Sequence, residues 1–155
     1  MPRSLREELK QTKPFGSAEQ EALLSIERTA AVFRHRLGEE LKQFGVTPTQ
    51  FNVLRILRGA GGRGLCGRDV SERLISQVPD VSRLLDRMVE MELVERERDE
   101  LDRRHVTARI TPEGLRLLER VDPVVERVED EWFGEIGEGE LRALIAVLGT
   151  VRENG

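Results

Sequence analysis

The residues from Pro79 to Gly114, PDVSRLLDRMVEMELVERERDELDRRHVTARITPEG, constrain the fold more tightly than any other stretch. Val81, Leu84, Leu85 and Met88 recur at spacings of three and four, which puts them on one face of a helix. Arg83, Asp86, Arg87 and Glu90 fall on the opposite face, with Ser82 at its edge. Pro79 is expected at the first helical position, and Asp80 beside the positive helix end. Residues 93–98 and 105–111 then alternate with period two, as paired strands do. Their connection, DELDRR at residues 99–104, is long and charged, where a tight hairpin would favour Asn-Gly or Asp-Gly. A short helix that can enter a groove, followed by a hairpin that can reach a backbone, is the plan of a winged helix-turn-helix. Double-stranded DNA is therefore the expected partner.

The flanking sequence supplies helices. Residues 1–16 are polar and broken by Pro14 and Gly16, and read as a loose arm or a short extra helix. Ser17 and Gln20 have the spacing of a capping box. Leu23, Ile26, Ala30, Phe33, Leu37, Leu41 and Phe44 then mark a long amphipathic helix ending at Gly45. Thr47, Pro48 and Gln50 form a second start signal, and Val46 with Phe51 has the spacing of a hydrophobic staple. That helix ends in the glycine-rich GAGGRG of residues 59–64. Leu65 and Cys66 suit a short strand, residues 68–74 a brief helix, and Ile75 to Val78 the turn before Pro79. Thr111 and Pro112 open a further helix, with a kink or break expected at Pro123. After GEIGEG, Leu141, Leu144, Ile145, Leu148 and Val151 mark the last one.

Composition bears on location and partner. The 155 residues suffice for one domain with a real core, and 38% apolar against 35% charged suits a helix-rich chain with charged faces. No run approaches the roughly 20 apolar residues of a membrane-spanning helix, and MPRSLREELKQTKPFG lacks the apolar centre of a signal peptide. The expected location is the cytoplasm, with no membrane partner. One cysteine, Cys66, excludes an internal disulfide. A net charge of −4 runs against a simple basic DNA binder, and residues 63–109 hold ten arginines against eleven acids. Arginine outnumbers lysine 22 to 3, however, and guanidinium suits both phosphates and guanine edges. Placement of the arginines, rather than bulk attraction, has to carry binding.

Three pieces, TPTQFNVLRIL, PDVSRLLDRM and LVERERDELDRRHVTARITPEG, resemble the MarR family of bacterial transcriptional regulators. The likeness runs from about Ser17 to Val151, and its most specific part is the D-x-R of Asp102–Arg104 followed closely by I-T-x-x-G. It implies a mainly α fold with a small β-hairpin wing, a winged helix-turn-helix flanked by N- and C-terminal dimerisation helices. In these terms a single domain of residues 1–155 divides into a DNA-binding lobe at about 47–111 and dimerisation helices at about 17–45 and 112–152. A homodimer is implied, and often a small ligand that releases a repressor. The chain departs from the family pattern at Glu92, where glycine is usual before the first wing strand. It departs again at Val70 and Ser71, where the short third helix usually carries an alanine.

The residues expected to face DNA follow from this plan. Arg83 and Arg87, four apart on one helix face, are expected in the major groove, where an arginine–guanine pair discriminates by about 1–3 kcal/mol. Gln77, Pro79 and Ser82 lie near the leading end of that helix. Arg103 or Arg104 is expected in the minor groove, with Asp102 bracing one of them. The resemblance also suggests that Arg34, His35 and Arg36 line a pocket for an anionic aromatic ligand; a solvated helix face explains them at least as well. Cys66 reads as a packed thiol, and Trp132 and Phe133 as core or dimer packing. His35 and His105 stand alone without metal-ligand spacing, so neither metal nor cofactor is expected. An enzyme is not expected: GAGGRG ends a helix and lacks the G-K-[ST] of a phosphate loop. The competing reading is a winged-helix protein-interaction adaptor without specific DNA binding.

Overall fold

The computed structural model describes residues 3–155. Its elements are α1 (Leu5–Glu8), α2 (Ala18–Leu41), α3 (Pro48–Ala60), β1 (Leu65–Cys66), α4 (Gly67–Arg73), α5 (Val81–Glu90), β2 (Val94–Arg98), β3 (Val106–Ile110), α6 (Pro112–Phe133) and α7 (Glu138–Glu153). The sheet is antiparallel in the order β1-β3-β2, with Leu65 opposite Ala108 and Arg96 opposite Ala108 on the other side. Leu65 and Cys66 thus turn the expected hairpin into a three-stranded wing base. None of the helices among the described residues is long and apolar enough to cross a membrane.

Local chemistry accounts for most of the boundaries. Thr47 Oγ1 accepts from the Gln50 amide at 3.1 Å while Gln50 Oε1 accepts from the Thr47 amide at 3.0 Å, the expected capping box of α3. At α2 the box is displaced by one residue: Ser17 Oγ caps Gln20, but the Gln20 carboxamide accepts from Gly16 at 2.7 Å. The long helix ends at Leu41, and a 3-10 turn, Lys42–Phe44, leads to Gly45 at φ 71°.

Two expected features of the Pro79–Asp80 start and of Pro123 change. Asp80, not the residue before Pro79, is the N-cap of α5, accepting from the Arg83 amide at 2.9 Å. Pro79 therefore lies outside the helix, one residue ahead of the Asp80 whose side chain satisfies the first-turn amide. The preceding turn is correspondingly longer than residues 75–78. At Pro123 the helix neither ends nor breaks; α6 runs continuously from Pro112 to Phe133. Pro123 and Glu119 are both exposed, so the carbonyl deprived of its usual donor is open to water.

The core gathers the helical faces read above. Leu41, Val53, Leu54, Leu57, Val70, Leu85, Met88, Leu118 and Val121 are fully buried. Val70, one of the two residues that stand where the resemblance leads to an alanine, is packed into this core, while Ser71 is half-buried. Trp132 packs edge-on against Phe33 with ring centroids 5.1 Å apart, while Phe133 is exposed. A crossed ion-pair set then fastens α2 to α6: Arg127 reaches Glu40 at 3.0 Å, and Arg36 reaches Glu131 at 3.1 Å and also Glu40. Glu40 and then Glu131 hold the Arg36 guanidinium above its ordinary pKa range.

Candidate nucleic-acid interface

Helix α5 stands on the core through Leu85 and Met88 and turns its other side outward. Arg83 and Arg87 are exposed on that side, and among the described residues neither has a carboxylate within ion-pair distance. Their nearest acidic neighbour on the helix is occupied elsewhere. Asp86 Oδ1 accepts from Arg96 Nη1 of strand β2 at 2.5 Å, and the same nitrogen lies 3.3 Å from Ser82 Oγ. Arg96 was not among the residues expected at the site. Its only sequence signal is an arginine on the alternate of β2 that faces α5, which cannot be read without the sheet-to-helix packing.

Gln77 and Pro79 are exposed on the turn ahead of α5, so they border the same face from a loop rather than from the helix. Ser82 is exposed in the first turn. Ser82, Arg83 and Arg87 thus share the exposed side of α5, and Gln77 and Pro79 lie on the turn that leads into it.

The wing tip is ordered by its acids. Asp99 Oδ1 accepts from the amides of Leu101 at 2.8 Å and Asp102 at 3.4 Å, folding the start of the loop. Asp102 Oδ1 accepts from the Arg104 amide at 3.1 Å and from Arg104 Nε at 3.4 Å, and its other oxygen lies 3.6 Å from His105 Nε2. Arg104 is the braced arginine of the pair. The Arg103 side chain has no carboxylate partner among the described residues, while its carbonyl accepts from Arg98 at 3.1 Å. Arg109 ties the other end of the wing down, donating to Glu97 at 2.7 Å and to the Gly62 carbonyl at 2.8 Å. The near-neutral composition of residues 63–109 therefore conceals a division. Asp80, Asp86, Glu97, Asp99 and Asp102 are engaged in caps, turns and pairs, while among the described residues Arg83, Arg87 and Arg103, like Glu90, Glu95 and Glu100, have no side-chain partner.

Glu92 adopts φ 63°. It closes α5 in a Schellman arrangement: the Leu93 amide donates to the Met88 carbonyl at 3.1 Å and the Glu92 amide to Val89 at 2.9 Å. The position where the resemblance implies glycine thus keeps the left-handed geometry with a side chain on it. Downstream, Thr111 Oγ1 donates to the Glu92 carbonyl at 2.7 Å and accepts from the Gly114 amide at 3.0 Å, locking the end of α5 to the start of α6. At Gly114 a Cβ would meet the Leu93 carbonyl oxygen at 2.5 Å, which explains the glycine of I-T-x-x-G.

A cavity of about 360 Å³ opens between α2, α3, the turn before α5, and α6. Phe33, Leu37, Phe51 and Val125 supply apolar walls, with Arg34, Arg55 and Glu129 as its charged groups. Arg34 donates to Thr49 Oγ1 at 2.7 Å, and the Arg55 guanidinium sits 5.6 Å from the Phe51 ring centre. The expected trio does not share this cavity. Arg34 lines the cavity, His35 is exposed away from it, and Arg36 is turned to Glu40 and Glu131. Successive helix residues are rotated by about 100°, so three in a row cannot share one pocket. Arg55, missed from sequence, is the second cation; its i+4 relation to Phe51 was the available signal. Cys66 is half-buried in β1, opposite Thr107.

Similarity to known proteins follows the same outline. A family model described as MarR family matches residues 44–105. The uncharacterized HTH-type transcriptional regulator YsmB of Bacillus subtilis is 34% identical over 97 residues, which are 63% of this chain and 65% of that protein. The crystal structure of a MarR transcription factor from Planctomyces limnophilus is 32% identical, with a TM-score of 0.68 over 88% of this chain and 99% of that one. BpsR of Bordetella bronchiseptica, whose DNA binding is regulated by 6-hydroxynicotinic acid, is 25% identical with a TM-score of 0.76, covering 90% of this chain and 98% of its own. With a winged helix, an arginine-bearing outer helix and a relative of this extent, the chain belongs to the MarR family of transcriptional regulators.

Proposed function

We propose that this protein is a homodimeric repressor that binds a pseudo-palindromic DNA operator and is released by a small anionic effector. The observation that carries the reading is the unpaired, exposed state of Arg83 and Arg87, four residues apart on the outer side of α5. In this reading the lobe of about residues 47–111 inserts α5 into the major groove, where Arg83 and Arg87 address guanine edges. Gln77, Pro79 and Ser82 approach the adjoining backbone. Arg103, with Arg104 held by Asp102, enters the minor groove. The flanking helices, about 17–45 and 112–152, join two copies; two-fold symmetry then sets half-sites about 10 base pairs apart.

The effector would occupy the cavity between α2, α3, the turn before α5, and α6. Apolar walls with Arg34 and Arg55 suit an aromatic carboxylate, and BpsR responds to a ligand of that class. Filling it would change the relation of α5 to the dimerisation helices and so the spacing of the two heads.

Selection of bound duplexes from a random pool with the purified protein tests the reading. A two-fold symmetric consensus is expected. Failure to enrich any sequence at low salt would leave the adaptor reading, which the near-neutral charge of residues 63–109 favours. On the selected duplex, Arg83→Ala and Arg87→Ala are each expected to lose about 1–3 kcal/mol of binding. An Arg83→Ala variant with wild-type affinity would remove Arg83 from the assignment.

A further inference from the structure

The contact between strand β2 and helix α5 has a consequence for base reading. Arg96 extends from the wing strand to the first turns of α5, where its Nη1 bonds both Asp86 and Ser82. Its side chain is 19% exposed against 64% for Asp86, so the arginine is fixed by packing while the acid is held at the surface. The Arg96 Nε is buried without a hydrogen-bond partner. An orphaned buried donor is a cost that a shorter or apolar side chain at this position would avoid. The position is occupied by arginine nonetheless, and what that arginine reaches is Asp86.

Asp86 is three residues from Arg83 and directly precedes Arg87. Carboxylate and guanidinium at i, i+3 on a helix are within pairing distance. A free Asp86 would therefore draw Arg83 into an ion pair along the helix, and would add a negative charge to the face that meets phosphates.

We propose that Arg96 is a positioning residue for DNA recognition: by engaging Asp86 from the wing side, it keeps Arg83 free to meet a base. The inference rests on the DNA-binding reading above. It assigns no base or phosphate contact to Arg96 itself. Asp86 becomes the element through which the wing strand sets the readiness of the reading arginine.

The test uses the full chain and a duplex carrying the sequence the wild-type protein enriches from a random pool. Arg96→Ala is expected to weaken binding about tenfold or more, the scale of one lost arginine–base pair. Asp86→Asn added to Arg96→Ala is expected to restore most of that loss, since the acid that captures Arg83 is gone. Asp86→Asn alone is expected to bind about as well as wild type. Thermal melting of each variant checks folding, and the salt slope of binding separates the possible roles. If Arg96→Ala weakens binding with no recovery on adding Asp86→Asn, the positioning role is overturned. A fall of about one in the salt slope that persists in Arg96→Ala/Asp86→Asn would also overturn it, showing a direct phosphate contact of Arg96. Should Arg96→Ala unfold, the comparison of Arg96→Lys with Arg96→Lys/Asp86→Asn decides by the same recovery. Failure of the wild-type protein to enrich any duplex is a different result, which removes the DNA-binding reading and this inference with it.

Discussion

At the scale of the single residue, Glu92 shows how a rule of local chemistry and a tertiary demand can conflict. The Schellman closure of α5 requires a left-handed residue, and there a side chain costs about 1–2 kcal/mol relative to glycine. The Glu92 carbonyl that accepts from Thr111 belongs to the backbone, so it would survive substitution. Glu92→Gly is accordingly expected to raise stability by about 0.5–1 kcal/mol, after allowance for the greater freedom of glycine in the unfolded chain. Urea unfolding would register this as a higher midpoint at unchanged slope. A lower midpoint would mean that the Glu92 side chain makes a compensating interaction. Gly114 is the opposite case, where no side chain fits. A Cβ there would stand 2.5 Å from the Leu93 carbonyl oxygen and 2.6 Å from Ile110 Cγ1. Gly114→Ala should lower stability by about 1–3 kcal/mol, the usual cost of overpacking, in the same unfolding experiment.

At the scale of the element, the wing is a strand pair whose loop is built from carboxylates. Asp99 and Asp102 fold the tip, leaving Arg104 braced and Arg103 unpaired. Replacing Arg103 by alanine should therefore flatten the salt dependence of DNA binding by about one unit of slope. Arg104→Ala should do so as well, with some loosening of the tip. Unchanged slopes in both variants would remove the wing from the interface. The helix starts were legible in the sequence because caps act over three residues: Thr47 with Gln50, and Thr111 with Gly114, need no tertiary contact to be recognised. Asp80 was misplaced by one role because proline and aspartate each signal a helix start. Only the geometry of the preceding turn decides which of them stands at the cap.

For the whole molecule, the exposed apolar residues at the two chain ends are the surface on which the proposed homodimer rests. In α7, Leu144, Ile145, Val147 and Val151 are between 46% and 61% exposed, and no residue of that helix is buried; in α2, Leu23 is 56% exposed. Scattered exposed leucines are ordinary, but a helix without a single buried side chain has its apolar stripe turned away from its own core. In the homodimer proposed above, a second copy covers this surface. Leu144→Glu with Ile145→Glu should then shift the protein to the monomer in sedimentation equilibrium, and abolish binding to a two-fold operator while leaving the winged-helix core folded. A persistent dimer would place the interface elsewhere.

Sequence alone determined what is set by short-range chemistry. The helix faces, the caps, the alternating strands, and Arg83 and Arg87 on the outer side of their helix all follow from periodicities of 3.6 and 2. Tertiary structure decided which charges remain free. Asp86 could have paired with a neighbour on its own helix, and it is instead taken by Arg96 from a strand ten residues away. The same holds for Arg34, Arg36 and Arg55, whose separation between cavity and ion-pair set depends on where α2, α3 and α6 meet. Ion pairing depends on distances of a few ångströms between elements, and the order of residues along the chain does not contain those distances.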